Sequence, residues 1–115
     1  MIAKLELELK CKEELSYQMA SLFHGALMEL LPEEYAQELH CSKLHPYTQH
    51  LEWKENTWYW VISALNQQAV DKILRDALWN LEQIVLKKKQ ITVEICGKQY
   101  KEISYKQLME HFYHE

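Results

Sequence analysis

The chain has 115 residues, 48% of them hydrophobic, with two glycines and two prolines, so it has room for one domain with one core and is neither low-complexity nor disordered. Its formal net charge of −4 argues against a surface coated with phosphate-binding cations. The charge is uneven: residues 1–60 carry ten Glu against five Lys, and residues 61–115 carry seven acids against eight bases. Any nucleic-acid contact is therefore expected to be local. Lys87-Lys88-Lys89 is the densest basic run, although such a run is also an ordinary solvated strand entrance. No apolar run approaches the roughly 18 residues of a spanning helix, and the opening MIAKLELELK lacks the apolar core of a signal peptide. The expectation is a cytoplasmic protein with no membrane partner. Cys11, Cys41 and Cys96 are odd in number, far apart and without a CxxC pair, which argues against a disulfide framework.

In chain order, Ile2 to Lys10 alternates with period two, placing Ala3, Leu5, Leu7 and Leu9 on one face of a strand and Ile2, Lys4, Glu6 and Glu8 on the other. Leu15, Met19, Leu22, Phe23, Ala26, Leu27 and Leu30 recur at helical spacing and predict a helix over 12–31, with His24 on the flank of the apolar stripe. Gly25 in mid-helix points to something that approaches the backbone closely, or to tight packing against a strand. Pro32 ends this helix and opens a short one to about His40, with Glu33 and Glu34 suited to the positive end of its dipole and His40 to the negative end. Pro46 starts an extended segment, a tight turn at Lys54-Glu55-Asn56 follows, and TWYWVISAL reads as a strand apolar on both faces, which belongs inside a sheet. Asn66 can cap a long helix with a stripe of Val70, Ile73, Leu74, Ala77, Leu78, Leu81 and Val85, and with an Asp71–Arg75 pair. ITVEI, 91–95, is a further strand ending in a Cys96-Gly97-Lys98 turn, and Ser104 with Gln107 forms a capping box for a last helix through about His111.

This order is an α+β, ferredoxin-like β-α-β-β-α-β sandwich, with a short extra helix after the first helix and a C-terminal helix. A core of about 2–96 is expected, with 97–115 as the start of a connection. Two helices cover one sheet face; the other is left open, with Trp58 or Trp60 expected there.

Four of the six histidines, His24, His40, His45 and His50, lie between Leu22 and His50, together with Tyr35 and Lys43. Histidine titrates between about pH 5 and 8, so histidines with a lysine and a tyrosine at one corner can move protons and stabilise a charged phosphate. Cleavage of RNA by its own 2′-hydroxyl needs a base, an acid and positive charge near the phosphorane. His24 and His40, on successive helices, could face each other across a phosphate, with Lys43 stabilising charge and Tyr35 positioning a partner. His45 and His50 read as strand-entry residues, and His111 and His114 as an exposed tail. The spacing of His40, Cys41, His45 and His50 does not match the usual zinc pairs, so neither a metal nor another cofactor is expected. Trp53, Trp58, Tyr59 and Trp60 could stack bases, but core packing is their expected role.

The segment FHGALMELLPEEYAQELHCSKLHPYTQHL, followed by KENTWYWVISALN and a long helix, resembles the CRISPR-associated endoribonuclease family that cuts repeat RNA. This is the sixth Cas family, within the repeat-associated mysterious protein superfamily. The resemblance runs from about Ala3 to Phe112 and rests most on residues 22–50. It implies two ferredoxin-like domains in tandem, the second with a glycine-rich loop, and metal-independent cleavage within the repeat of precursor CRISPR RNA. The products would carry a 2′,3′-cyclic phosphate and a 5′-hydroxyl. By the same resemblance the catalytic histidine falls on His40, a second on His24 and an assisting lysine on Lys43, with Tyr35 a weaker match. RNA contacts are expected from Lys43, Lys87, Lys88 and Lys89. The glycine-rich loop is missing from the 115 residues, so the expectation is an N-terminal half that works with a C-terminal ferredoxin-like domain. A non-catalytic RNA-binding or assembly module of a CRISPR effector complex is the alternative, and a homodimer through the open sheet face is a further expected partner.

Overall fold

The computed structural model describes residues 2–42 and 45–104. Five strands form one antiparallel sheet in the order β2-β3-β1-β5-β4. They are β1 (Ile2–Lys10), β2 (Tyr47–Lys54), β3 (Thr57–Ala64), β4 (Gln83–Leu86) and β5 (Ile91–Ile103). The helices are α1 (Ala20–Leu30), α2 (Glu33–Cys41) and a third, α3, which opens at Gln67–Ala69 and continues as a π-helix over Val70–Leu78. The α+β class expected from the sequence is what folds, and it is consistent with a ferredoxin-like arrangement. β1 is the central strand, and β3 lies between it and β2, as a strand apolar on both faces requires.

One face of the sheet packs against the helices, the other mixes charged residues with buried Ile2 and Val61, and the register shows which residues share each. Leu5 pairs with Ile62, Leu7 with Trp60 and Leu9 with Trp58. These side chains meet Phe23 and Leu27 of α1 and Ile73, Leu74 and Leu78 of α3 in the core. Phe23 packs on Trp60 with ring centroids 5.3 Å apart. Trp58 and Trp60 therefore lie on the helix-covered face and not on the opposite one, contrary to the expectation, because both are in register with the leucines of β1. The opposite face carries the charged residues. Glu6 is held there between Lys54, 3.3 Å away, and Lys4, 3.6 Å away, and Lys54 also lies 4.7 Å from the Tyr59 ring centroid.

Three boundaries differ from the sequence expectation, and one strand, β4, is additional to it. The first helix begins later than residue 12: a 3-10 turn at Tyr17–Met19 leads into α1 at Ala20, and Leu15 reaches the core from the connection. The third helix stops at Leu78, and Leu81 and Val85 are outside it. Val85 instead sits in β4, exposed, between buried Ile84 and Leu86. β5 has no turn at Cys96-Gly97-Lys98. It runs through to Ile103 with a register shift opposite Glu8 and Leu9, so the sheet extends past residue 96. A bulge absorbs one extra residue and lets a long strand follow the twist of its partner. The expected helix from Ser104 to His111 falls outside the described residues.

The turns follow local rules. Glu55 and Asn56 have φ of 52° and 61°, the left-handed pair that a two-residue hairpin between right-twisted strands requires. Asn66 accepts a hydrogen bond from the Ala69 amide at 2.8 Å, the capping contact expected from the sequence. Asp71 and Arg75 form the expected ion pair at 3.3 Å. No helix of the described residues is long and apolar enough to cross a membrane.

Candidate functional site

The histidine-rich corner lies where α1 packs against the start of β2. Pro46 fixes the entry: its carbonyl accepts the Leu65 amide at 2.7 Å, and Tyr47 then pairs with Ala64. This register puts Tyr47 on the helix-covered face, under α1. One residue after the buried Phe23, His24 is turned to the flank of α1 and meets that tyrosine. His24 Nε2 and the Tyr47 hydroxyl are 2.5 Å apart, and the two rings stack at 5.8 Å with an interplanar angle of 11°. His45 stands edge-on to the same tyrosine, with centroids 6.3 Å apart at 82°.

Partial burial is the largest influence on His24 and lowers its pKa from the ordinary 6.5, and the charge of His45 adds to this. His24 is therefore held towards its neutral form. Burial pushes the Tyr47 hydroxyl up, so it keeps its proton at neutral pH. Tyr35 on α2 is buried, and its pKa is raised by that burial, then by Glu38 and Tyr47. Its hydroxyl has no hydrogen-bond partner among the described residues.

His40 lies in the last turn of α2 and is exposed, with the buried Leu39 beside it anchoring the helix. Lys43 lies outside the described residues. His50 pairs with Val61 across β2 and β3, which puts it on the sheet face opposite the helices, away from Tyr47. His111 and His114 lie outside the described residues. Among the described residues no group of three or more His, Cys, Asp or Glu is placed to hold a metal ion.

The lysine run forms the turn between β4 and β5, where Gln90 takes a φ of 55°. A groove of about 190 Å³ joins this turn to α1 and is lined by Ser21, Gly25, Glu29, Lys87 and Lys88 among others. Lys87 pairs with Glu29 at 3.0 Å. A side chain at Gly25 would meet nothing within 4 Å, so the glycine is not there for tight packing against a strand. It leaves open helix backbone beside His24.

The structure thus brings together His24, His45 and Tyr47, with Tyr35 near enough for Tyr47 to raise its pKa. It places His40 at the end of the next helix. Tyr47 and the part played by His45 do not follow from the sequence reading. The available signal is the two-residue spacing of His45, Tyr47, Leu51 and Trp53, which puts both ring side chains on the side of the strand that faces the helices.

A mixed α+β domain with a histidine–tyrosine cluster at one helix–strand corner is the class of protein these features define. No protein-family model matches the chain. It is similar to the CRISPR-associated endoribonuclease Cas6 of Streptococcus thermophilus, with 36% identity over 76 residues. That stretch is 65% of this chain and 31% of the relative, so the chain spans about a third of the length of the curated protein it matches.

Proposed function

We propose that the chain carries the catalytic corner of a CRISPR-associated endoribonuclease that processes precursor CRISPR RNA by cutting within the repeat. The observation that carries this reading is the His24–Tyr47 pair, a histidine held towards its neutral form and fixed by a 2.5 Å hydrogen bond, in a chain similar to an endoribonuclease. The repeat RNA's 2′-hydroxyl is the nucleophile. His24 takes its proton, the 2′-oxygen attacks the adjacent phosphorus, and the 5′-oxygen leaves with a proton from His40. The products are a 2′,3′-cyclic phosphate and a 5′-hydroxyl, and no metal enters the scheme.

The geometry supports a division of labour. Burial favours neutral His24, which suits a base, and His40 stands exposed in the last turn of α2, where it can reach a leaving oxygen as the acid. The His24–Tyr47 bond can hold its proton on either side. For His24 to act as base, Nε2–H donates to the tyrosine oxygen and the Nδ1 lone pair is left for the substrate. Tyr47 then selects the tautomer, much as an orienting group does for any catalytic histidine. Lys43 stabilises charge on the phosphorane, Tyr35 supports Tyr47, and Lys87, Lys88 and Lys89 hold the RNA backbone beside α1. A second ferredoxin-like domain supplies much of the remaining RNA grip, and assembly with a CRISPR effector complex belongs to the same reading.

The test is a comparison of binding and cleavage of labelled repeat RNA in EDTA by the protein and by His40→Ala. Loss of cleavage with retained binding supports the nuclease. RNA bound but uncut by both points to the second reading, a non-catalytic RNA-binding or assembly module.

A further inference from the structure

The other end of the β2–β3 hairpin carries a second constellation. Tyr47 and Trp53 are six residues apart on one strand, so it lies about 20 Å from the histidine corner. There Trp58 is flanked by Tyr17 at 4.9 Å and 75° and by Trp53 at 5.3 Å and 58°. Tyr17 is 61% exposed and Trp53 47% exposed, so two of the three rings show much of their surface to solvent. The steeply tilted rings make the wall of a recess of about 450 Å³ that Glu13 and Glu14 also line. A second recess of about 360 Å³ shares Trp53, Trp58 and Glu13 with the first and adds Glu8. The thiol of Cys11 donates to the Glu13 carboxylate at 3.2 Å, which holds that carboxylate at the junction of the two. Lys10 is the one basic residue among the described residues lining either recess.

We propose that this aromatic, acid-rimmed recess is a docking site for an arginine side chain presented by a basic segment of a partner protein. The electron-rich faces of two indoles and a phenol attract a cation, and nearby carboxylates pair with it. Arginine fits better than lysine because its planar guanidinium stacks on an indole while its edge forks onto a carboxylate. A nucleic-acid strand is disfavoured: bases could stack on the rings, but their phosphates would have to cross a rim of Glu8, Glu13 and Glu14. A second copy of the chain is a poor occupant, because its single arginine, Arg75, is already paired with Asp71 and Asp76. The proposal does not depend on the nuclease reading, since none of these residues belongs to the histidine corner.

The experiment is a titration of the chain with a Gly-Arg-Gly-Arg-Gly peptide and with its citrulline counterpart, which keeps the shape and removes the charge. Binding is followed by the indole N–H resonances of Trp53 and Trp58. The arginine peptide should move both resonances saturably, with binding about tenfold weaker for citrulline, as loss of a cation–π contact and its ion pair implies. Tyr17→Ala and Glu14→Gln alter exposed side chains and should weaken binding while leaving the other resonances in place. Equal binding of both peptides, or no shift at millimolar peptide, would overturn the proposal. So would a uridine oligonucleotide that moves the same resonances more tightly, or concentration-dependent self-association that Trp53→Ala abolishes.

Discussion

At the scale of single residues, the decisive contact is between His24 and Tyr47. Its consequence for stability has a definite sign. The folded protein holds the His24 pKa below the ordinary value, so the unfolded chain binds a proton more readily. The stabilising contribution is fully present above the unfolded value of about 6.5 and is lost as pH falls through the lower folded value. The melting temperature should therefore drop more steeply from about pH 7 to about pH 5 in the protein than in His24→Gln, where this titration is absent. Parallel curves for the two would contradict the assignment. Tyr35 gives a second residue-level prediction. Its hydroxyl is buried without a partner among the described residues, and an unpaired buried polar group costs about 1–3 kcal/mol. Tyr35→Phe should thus leave thermal stability equal or raised, by up to about 1 kcal/mol in chemical denaturation. A lower cleavage rate in that variant would show that the hydroxyl acts through Tyr47, and an unchanged rate would make it a core residue only. The placement of His24 on the flank of a helix and of His40 at a helix end is legible from helical spacing and from Pro32. The partnership with Tyr47 is not, because it needs α1 to lie on β2, and that is set by the packing of Phe23 on Trp60.

At the scale of elements, strong local signals carry through and mixed ones do not. Period-two alternation in β1, the proline entries to α2 and β2, and the Glu55-Asn56 hairpin all fold as read. The Asn66 cap also holds, so Asn66→Ala should destabilise the protein by about 1 kcal/mol in urea unfolding, with no effect taken as evidence against the capping bond. The third helix ends earlier than its apolar stripe suggests because Leu81 and Val85 happen to continue the helical spacing. The competing signal is Gln83 to Leu86, where Ile84 and Leu86 alternate with an exposed Val85, followed by three lysines and Gln90 in a left-handed turn. A β-branched run beside a polar turn favours a hairpin over another helical turn. The π-helical winding of Val70–Leu78 is marked by neither Pro nor Gly and has no signature in the sequence. The late start of α1 has a plainer cause: Leu15 fits the helical spacing but reaches the core from an irregular connection.

At the scale of the whole molecule, one sheet face is buried under the helices and the other carries the charged residues. The aromatic residues of β3 suggest an uncovered face in the sequence, but register with β1 turns Trp58 and Trp60 inwards. Among the described residues the face opposite the helices holds the Lys4–Glu6–Lys54 network with Tyr59. The net charge of −4 leaves few places for a polyanion, and the β4–β5 turn is one of them. If Lys87 and Lys88 hold RNA, Lys87→Ala with Lys88→Ala should weaken repeat-RNA binding. It should also reduce the slope of log affinity against log salt by about 0.7 for each phosphate no longer neutralised. An unchanged slope would remove this turn from the RNA path.

His24 as base and His40 as acid are the centre of the proposed mechanism. The most direct measurement uses repeat RNA with either oxygen or sulfur bridging the scissile phosphate to the 5′-carbon, cut in EDTA by the protein at its full native length and by its His40→Ala variant. A thiolate leaves without needing a proton, so the unchanged protein should cut both substrates and His40→Ala should cut only the sulfur-bridged one. Equal cleavage of the natural RNA by both proteins, or cleavage of neither substrate by either, would contradict these roles.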